Sequence, residues 1–521
     1  MELVKKNIHF NRMAKEARNQ ITLEEDINLP DTKEDMESIL FHNYRVMIEE
    51  VKAGEQKVHI RGKIIYSILY RSEETGRLCS MEGSIPIDEQ LYMEGISGAD
   101  KVLVRPQVED FSVGIINSRK ISVQSILELY AYVQELYDEE ITTGLNGVDC
   151  EMRKEECDFT QLAVCKKDIF RFRENVNIPN NMPNVENVVW SSMKVQDMEY
   201  KPLDGQLSVQ GKIQIFVTYD GERDSHNQIY QATIPFSTMM ECSGSNMNMT
   251  PQISCEVVDS QLHLDTDFDG EARSFAVELV LELDMKLYEP QKVAVLWDIY
   301  GIQKDLTPQI QPIAYDVLTG QHRGNIKVSD KMNMSAPDNG QPRILYADGR
   351  SVLEKCEVTN DGVLVNGMLI CQVLYMSGAE ENEFGSSQCM IPFSQMVEMT
   401  GEMPREKGNI TCNVQLHCND LQFAFDMDGN LEAKANVAYD MLTFEKMAGR
   451  NITNIAVSEM DMEKCNNLPS MAIYFAKQGD TLWEMGKKYC VPIRQIREMN
   501  HLTSDEMKAG DKVLIVRGMG E

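Results

Sequence analysis

Three stretches hold residue types whose spacing could do chemistry. "DTDFDG", from Asp265, has the Asp-x-Asp-x-Asp-Gly opening of a calcium loop, a chemistry that needs a bidentate Glu at the twelfth loop position. That position is Ala276, and the flanking residues alternate as strands do, so the stretch reads as a hairpin turn without calcium. Cys412 and Cys418, with His417 between them, could begin a zinc site. Zinc sites draw on two close pairs of Cys or His, and one loose pair reads better as buried thiols. The third stretch, "YFAKQGDTLW" from Tyr474 to Trp483, is a Gly-Asp turn running into an aromatic residue near the end of the chain.

Catalytic signatures are missing. No phosphate-binding Gly-x4-Gly-Lys-Ser/Thr loop, His-Glu-x-x-His pair or Gly-x-Ser-x-Gly elbow occurs in the sequence. With 82 acidic residues, carboxylate pairs arise everywhere, and solvated faces account for them. The expectation is a non-enzyme with no cofactor, no metal site and no catalytic residues.

Composition narrows the partners. A formal net charge of -31 would repel a phosphate backbone or an anionic membrane surface, so no nucleic acid and no membrane insertion are expected. Residues 471 to 521 depart from this, with 8 Lys and Arg against 7 Asp and Glu, and so read as a separate module. The N-terminus lacks the apolar run of a signal peptide and no 18-residue apolar stretch occurs, which predicts a cytoplasmic protein. Thirteen Cys without a Cys-x-x-Cys pair read as reduced intracellular thiols.

The elements that would carry these residues are repeated. "VHIRGKIIYSILY" from Val58, "LSVQGKIQIFVTY" from Leu207 and "VLVNGMLICQVLY" from Val363 each place a Tyr (70, 219, 375) eight residues after a Gly (62, 211, 367). A second landmark follows in each copy: Ile85-Pro86-Ile87, Ile234-Pro235-Phe236 and Ile391-Pro392-Phe393. The glycines lie 149 and 156 residues apart, a period of whole-domain duplication, well beyond solenoid repeats.

The copies read as strands. Val58, Ile60, Ile64, Tyr66, Ile68 and Tyr70 share one face of a period-two alternation, as do Leu207, Val209, Ile213, Ile215, Val217 and Tyr219. The central Gly is expected to mark a bend or bulge. A later run, Phe275 to Leu287, alternates in the same way after a turn at Asp267, with counterparts at Asn117 and Asp426. The predicted fold is mainly β: three repeated antiparallel β-sheet domains in tandem (residues 1–150, 151–318, 319–468) and a small α+β domain at 471–518.

The tail resembles a LysM domain, a βααβ module. The matching positions are Tyr474, Gly479-Asp480-Thr481-Leu482, Trp483, Tyr489, Val491, Ile496, Asn500, Leu502, Gly510 and the strand Val513 to Val516, with "IVRG" where Ile-Pro is common. Asp480 or Thr481 would cap a helix from Leu482, and Pro492 would open a second. Trp483, Met485, Tyr489, Ile493, Ile496 and Met499 would bury the apolar helix faces. The resemblance implies a shallow groove for N-acetylglucosamine-containing glycan, lined by Gly479, Asp480, Thr481 and Leu482 on one side and Asn500, His501, Leu502 and Thr503 on the other. Trp483 reads equally as core or as an anchor for a partner.

The β repeats resemble the spore-coat-associated SPOCS domain, and three of them before one LysM resemble the SipL-like coat morphogenetic proteins. That resemblance implies a non-enzymatic scaffold made in the mother cell, sited at the forespore surface and spore coat. Its implied partners are a SpoIVA-like coat ATPase and other coat proteins. The alternative is a cell-wall protein that binds peptidoglycan glycan.

Overall fold

The computed structural model describes residues 1–223, 225–266, 270–332, 342–376, 384–399, 407–426, 430–460, 469–505 and 507–517. The expected turn residues 267–269 and 427–429 lie outside them. Each repeat folds into six strands. The first unit comprises β1 (Glu2–Asn28), β2 (Met36–Ala53), β3 (Lys57–Ser72), β4 (Leu78–Tyr92), β5 (Val102–Asn117) and β6 (Lys120–Asn146). These form two antiparallel sheets, β2-β3-β4 and β1-β6-β5. The second unit repeats the plan with β7 (Cys150–Asn177), β8 (Val185–Leu203), β9 (Gln206–Gly221), β10 (Ser225–Glu241), β11 (Thr250–Asp265) and β12 (Ser274–Gly301). The third does so with β13 (Lys304–Met332), β14 (Arg343–Val358), β15 (Val363–Met376), β16 (Phe384–Val397), β17 (Ile410–Phe425) and β18 (Leu431–Glu459).

The sheet pairing sets the unit boundaries. Residues 304–318 of β13 pair with β18, so the third unit starts at Lys304 and the boundary expected at 318/319 falls inside a strand. The sequence landmarks sit on the middle strands and carry no information on which unit owns an outer one.

Within each unit the two sheets face each other over an apolar core, fed by the alternating faces read from sequence. Val58, Ile60, Ile64, Ile68 and Tyr70 of β3 are fully enclosed and pack against Leu127, Leu129 and Val123 of β6. Phe275, Val277, Leu281, Leu283, Met285 and Leu287 of β12 do the same in the second unit.

The repeated landmarks have physical reasons. The pairing register shifts on the neighbouring strand beside each repeat Gly, between Ile48 and Glu50, Gln196 and Glu199, and Leu353 and Lys355. The bulge is therefore on the neighbour, and the Gly makes room for it. A Cβ on Gly62 would overlap the Met47 carbonyl, and one on Gly367 would stand 2.6 Å from the Val352 carbonyl oxygen. Pro86, Pro235 and Pro392 sit on β4, β10 and β16, the edge strands that tolerate a missing N–H. The Tyr70 hydroxyl donates to the Glu34 carbonyl at 3.0 Å and that of Tyr219 to the Pro183 carbonyl at 3.2 Å, tying down the chain that enters β2 and β8.

The three units close on one another cyclically. A second register shift in each unit, before Phe41, Trp190 and Tyr346, sends these equivalent aromatics to a common centre. Their ring centroids are 5.6 Å (Phe41–Trp190), 5.2 Å (Phe41–Tyr346) and 6.2 Å (Trp190–Tyr346) apart. The long outer strands run on past the sandwiches as two-stranded arms, residues 2–12 with 135–146 in the first unit. The arms pack through Ile8, Phe10, Ile141, Phe159, Val295 and Tyr315.

Three cations repeat the closure. Arg45, Lys194 and Arg350 occupy one register position, opposite Ile65, Gln214 and Ile370. Arg45 donates to the Val258 carbonyl of the second unit at 2.8 Å, and Lys194 pairs with Asp348 of the third at 2.7 Å. The Arg350 guanidinium lies 4.1 Å from the Tyr44 ring centroid of the first unit. These residues line a cavity of about 1250 Å³ between the units.

Candidate functional site

The C-terminal module is built from β19 (Met471–Phe475), α1 (Leu482–Tyr489), α2 (Ile493–Met499) and β20 (Lys512–Val516), with β19 and β20 paired antiparallel. Its core is Ala476, Leu482, Met485, Tyr489, Val491, Ile496, Met507, Val513 and Ile515. Met499, expected to bury a helix face, is exposed, because α2 ends there and its last turn faces solvent.

The first wall of the expected groove is the turn before α1. Gly479 has φ 95°, a conformation that side-chain-bearing residues rarely adopt. The Asp480 carboxylate accepts the Lys477 backbone N–H at 2.8 Å and the Tyr474 hydroxyl at 2.9 Å. Those two bonds, the Lys477 N–H first, hold its pKa below the usual carboxylate range. Thr481 is the N-cap, its hydroxyl accepting the Glu484 N–H at 3.3 Å, and Leu482 is fully enclosed in the core.

The second wall follows α2. Asn500 Nδ2 donates to the Ile496 carbonyl at 2.8 Å and the Leu514 carbonyl at 2.7 Å, and Asn500 Oδ1 accepts the Leu514 N–H at 2.6 Å. Its side chain thus extends the pairing of β20. Leu502 packs on the core, whereas His501 and Thr503 are exposed. A hydrogen bond from the Leu482 N–H to the Asp505 carbonyl, 3.3 Å, joins the two walls. Asp480 and Asn500 are therefore committed to the module's own backbone. His501 and Thr503 are the side chains this wall offers outward.

Trp483 follows neither of the two readings given to it. It is 8% exposed but lies outside the module core, against the second unit. Its ring meets Tyr300 edge-on at 5.0 Å, and its Nε1–H donates to Asp298 Oδ2 at 2.8 Å. Lys487 Nζ reaches the same carboxylate at 2.7 Å, and the Tyr300 hydroxyl donates to the Val491 carbonyl at 2.9 Å. Burial pushes the Asp298 pKa up, but the bonds from Lys487 and Trp483 more than offset it and the pKa ends below its ordinary value. The aromatic anchor is used inside the chain.

The sequence reading missed the outer face of β19. Met471, Ile473 and Phe475 are 62%, 62% and 59% exposed, a solvent-facing apolar strip beside Leu514. The signal was their alternation with the inward Ala472 and Tyr474.

Cys412 and Cys418 do not converge. Cys418 is buried in the core of the third unit's sandwich, and Cys412 packs in a separate cluster. Among the described residues, no group of three or more His, Cys, Asp or Glu is arranged to hold a metal.

A family model described as SipL, SPOCS domain, matches residues 35–116, 184–265 and 342–423, and a LysM domain model matches residues 474–516. The chain belongs to the SipL-like family of SPOCS and LysM proteins. No curated protein and no solved structure matches it. The SPOCS matches take in β2 to β5 and their counterparts but leave out the outer strands β1 and β6, which build the arms. The SPOCS repeats mark the chain as sporulation-related, and LysM is a module of the peptidoglycan-binding type. Among the described residues no helix is long and apolar enough to cross a membrane.

Proposed function

We propose that the chain is a non-enzymatic spore coat assembly scaffold, made in the mother cell and held at the forespore surface. Its LysM module docks on the SpoIVA-like ATPase of the coat basement layer, and the ring of SPOCS units recruits other coat proteins. The observation that supports this best is the LysM surface. Asp480 and Asn500, polar side chains that would hold a sugar, are bonded to the module's own backbone, whereas β19 offers an apolar strip suited to a protein partner. The test is affinity purification of the full chain from sporulating cells, followed by mass spectrometry, with an Ile473→Ser, Phe475→Ser variant alongside. The coat ATPase should copurify with the parent chain and be reduced at least tenfold with the variant. Equal recovery would remove the strip from the reading, and no recovery with either would remove the ATPase.

The LysM match itself favours a second reading, binding of peptidoglycan glycan, because His501 and Thr503 stay exposed. Retention of the full chain on purified peptidoglycan, lost on replacing His501 and Thr503, would support it.

A further inference from the structure

The third unit differs from the other two at one position between its sheets. Val51, Tyr200 and Cys356 are equivalent, each paired with the residue two before the repeat Gly: Ile60, Val209 and Val365. In the second unit Tyr200 packs on the same core as Cys255, on the facing sheet. In the third unit two thiols come to one cluster from facing sheets. Cys356 on β14 and Cys412 on β17 both pack on the cluster of Val363, Val365, Val397 and Met441. Both are only partly buried.

We propose that Cys356 and Cys412 form an oxidation site, at which a peroxide converts the pair to a disulfide that clasps the two sheets of the third unit. Both thiols reach one cluster from strands of different sheets, so one new bond would close the sandwich covalently. Taking Cys356 as the attacking sulfur, its thiolate is the nucleophile. The Cys356 sulfur takes one peroxide oxygen, the O–O bond breaks, and the released hydroxide leaves as water with the thiol proton. Cys356 is then a sulfenic acid. The Cys412 sulfur attacks it, the S–O bond breaks, and the departing hydroxide carries off the Cys412 proton as a second water. Two thiols have given two electrons and two protons to the peroxide, and one S–S bond has formed.

The other thiol pair of this unit is the natural comparison. Cys371 lies directly opposite Cys389 on β15 and β16, neighbouring strands of one sheet, so a bond between them would not join the two sheets.

The experiment uses the reduced full-length chain treated with hydrogen peroxide. It is then quenched, alkylated in denaturant, digested without reduction and examined by mass spectrometry. The expected product is a linked peptide joining Cys356 and Cys412, a loss of two titratable thiols, and a thermal midpoint raised by several degrees. Cys356→Ser and Cys412→Ser keep a hydrogen-bonding group in place and should remain folded while losing both the linked peptide and the rise. Recovery of both cysteines as alkylated residues, or linkage of Cys371 to Cys389 or of two chains instead, would overturn the proposal.

Discussion

Gln372 Nε2 lies 3.0 Å from His42 Nε2, and the same side-chain amide accepts the His42 backbone N–H at 3.3 Å, so one residue of the third unit grips the first by two bonds. An amide donor facing the ring requires Nε2 to accept, which leaves the imidazole neutral with its proton on Nδ1. Burial is the main reason its pKa falls to about 4, with a bond to the Phe111 backbone pulling the other way. The folded pKa is below the unfolded one, so the stabilisation is complete above about pH 6.5 and is lost as pH falls towards 4, at a cost of about 3 kcal/mol. Urea titrations across that range should show the loss. Gln372→Glu, which gives a protonated ring an acceptor, should flatten it. Parallel pH curves for the two proteins would exclude His42 as the responsible group.

The repeat glycines are predicted to differ in their tolerance of a methyl group. Gly62→Ala drives a Cβ into the backbone carbonyl of Met47, and Gly367→Ala meets that of Val352 as well as the Phe393 ring. Neither carbonyl can swing aside, so each change should cost roughly 2–4 kcal/mol. At Gly211 the nearest atom is the thioether sulfur of Met198, a flexible side chain, and the cost should be about half as large. Thermal midpoints of the three variants should rank accordingly, with Gly211→Ala closest to the parent.

Within the LysM module, the polar residues of the expected groove separate into two kinds. Asn500→Ala removes three hydrogen bonds and strands the Leu514 backbone groups, at a cost of roughly 2–4 kcal/mol, much of what so small a module can hold. His501 (φ 52°) and Thr503 make no such bonds to the fold, and His501→Asn, which tolerates the left-handed backbone, and Thr503→Ala should each shift stability by under about 0.5 kcal/mol. Hydrogen exchange of the module's amides reads the difference. Loss of binding in an Asn500 variant therefore says nothing about the groove, whereas loss in a folded His501 variant does.

What the sequence made legible is what period two and local turn chemistry encode. The alternating faces of β3, β9 and β12 emerge as the enclosed cores, and the Thr481 cap and Gly479 turn lie where the motif places them. Contacts that depend on the relative placement of distant strands were not legible. Phe41, Trp190 and Tyr346 carry no shared residue type, and only their common register beside a bulge makes them equivalent. The cyclic closure of the units was invisible for that reason, and so was the ownership of β13. Trp483 was misjudged because its partners, Asp298 and Tyr300, lie 185 and 183 residues earlier on a strand with no motif of its own.

That contact gives the last prediction. Trp483, Lys487 and the Val491 carbonyl meet Asp298 and Tyr300 at one end of β12, and none of the five belongs to the LysM core except Val491. Trp483→Ala should therefore undock the module from the second unit without unfolding it. Losing the ring and its N–H bond to a carboxylate should cost roughly 2–3 kcal/mol of docking, enough to raise the undocked population more than tenfold. Asp298→Asn should act in the same direction more weakly, since the amide oxygen can still accept from Trp483 Nε1 but no longer carries the charge that holds Lys487. Because the Asp298 pKa is lowered on docking, the latch should hold at neutral pH and loosen as the solution falls below about pH 4. Trypsin offers the readout, since Lys464 lies between the last SPOCS strand and the module. Cleavage there should be faster in Trp483→Ala than in the parent, with circular dichroism of the released fragment still native. Equal cleavage rates in the two would show that Trp483 does not hold the module to the ring.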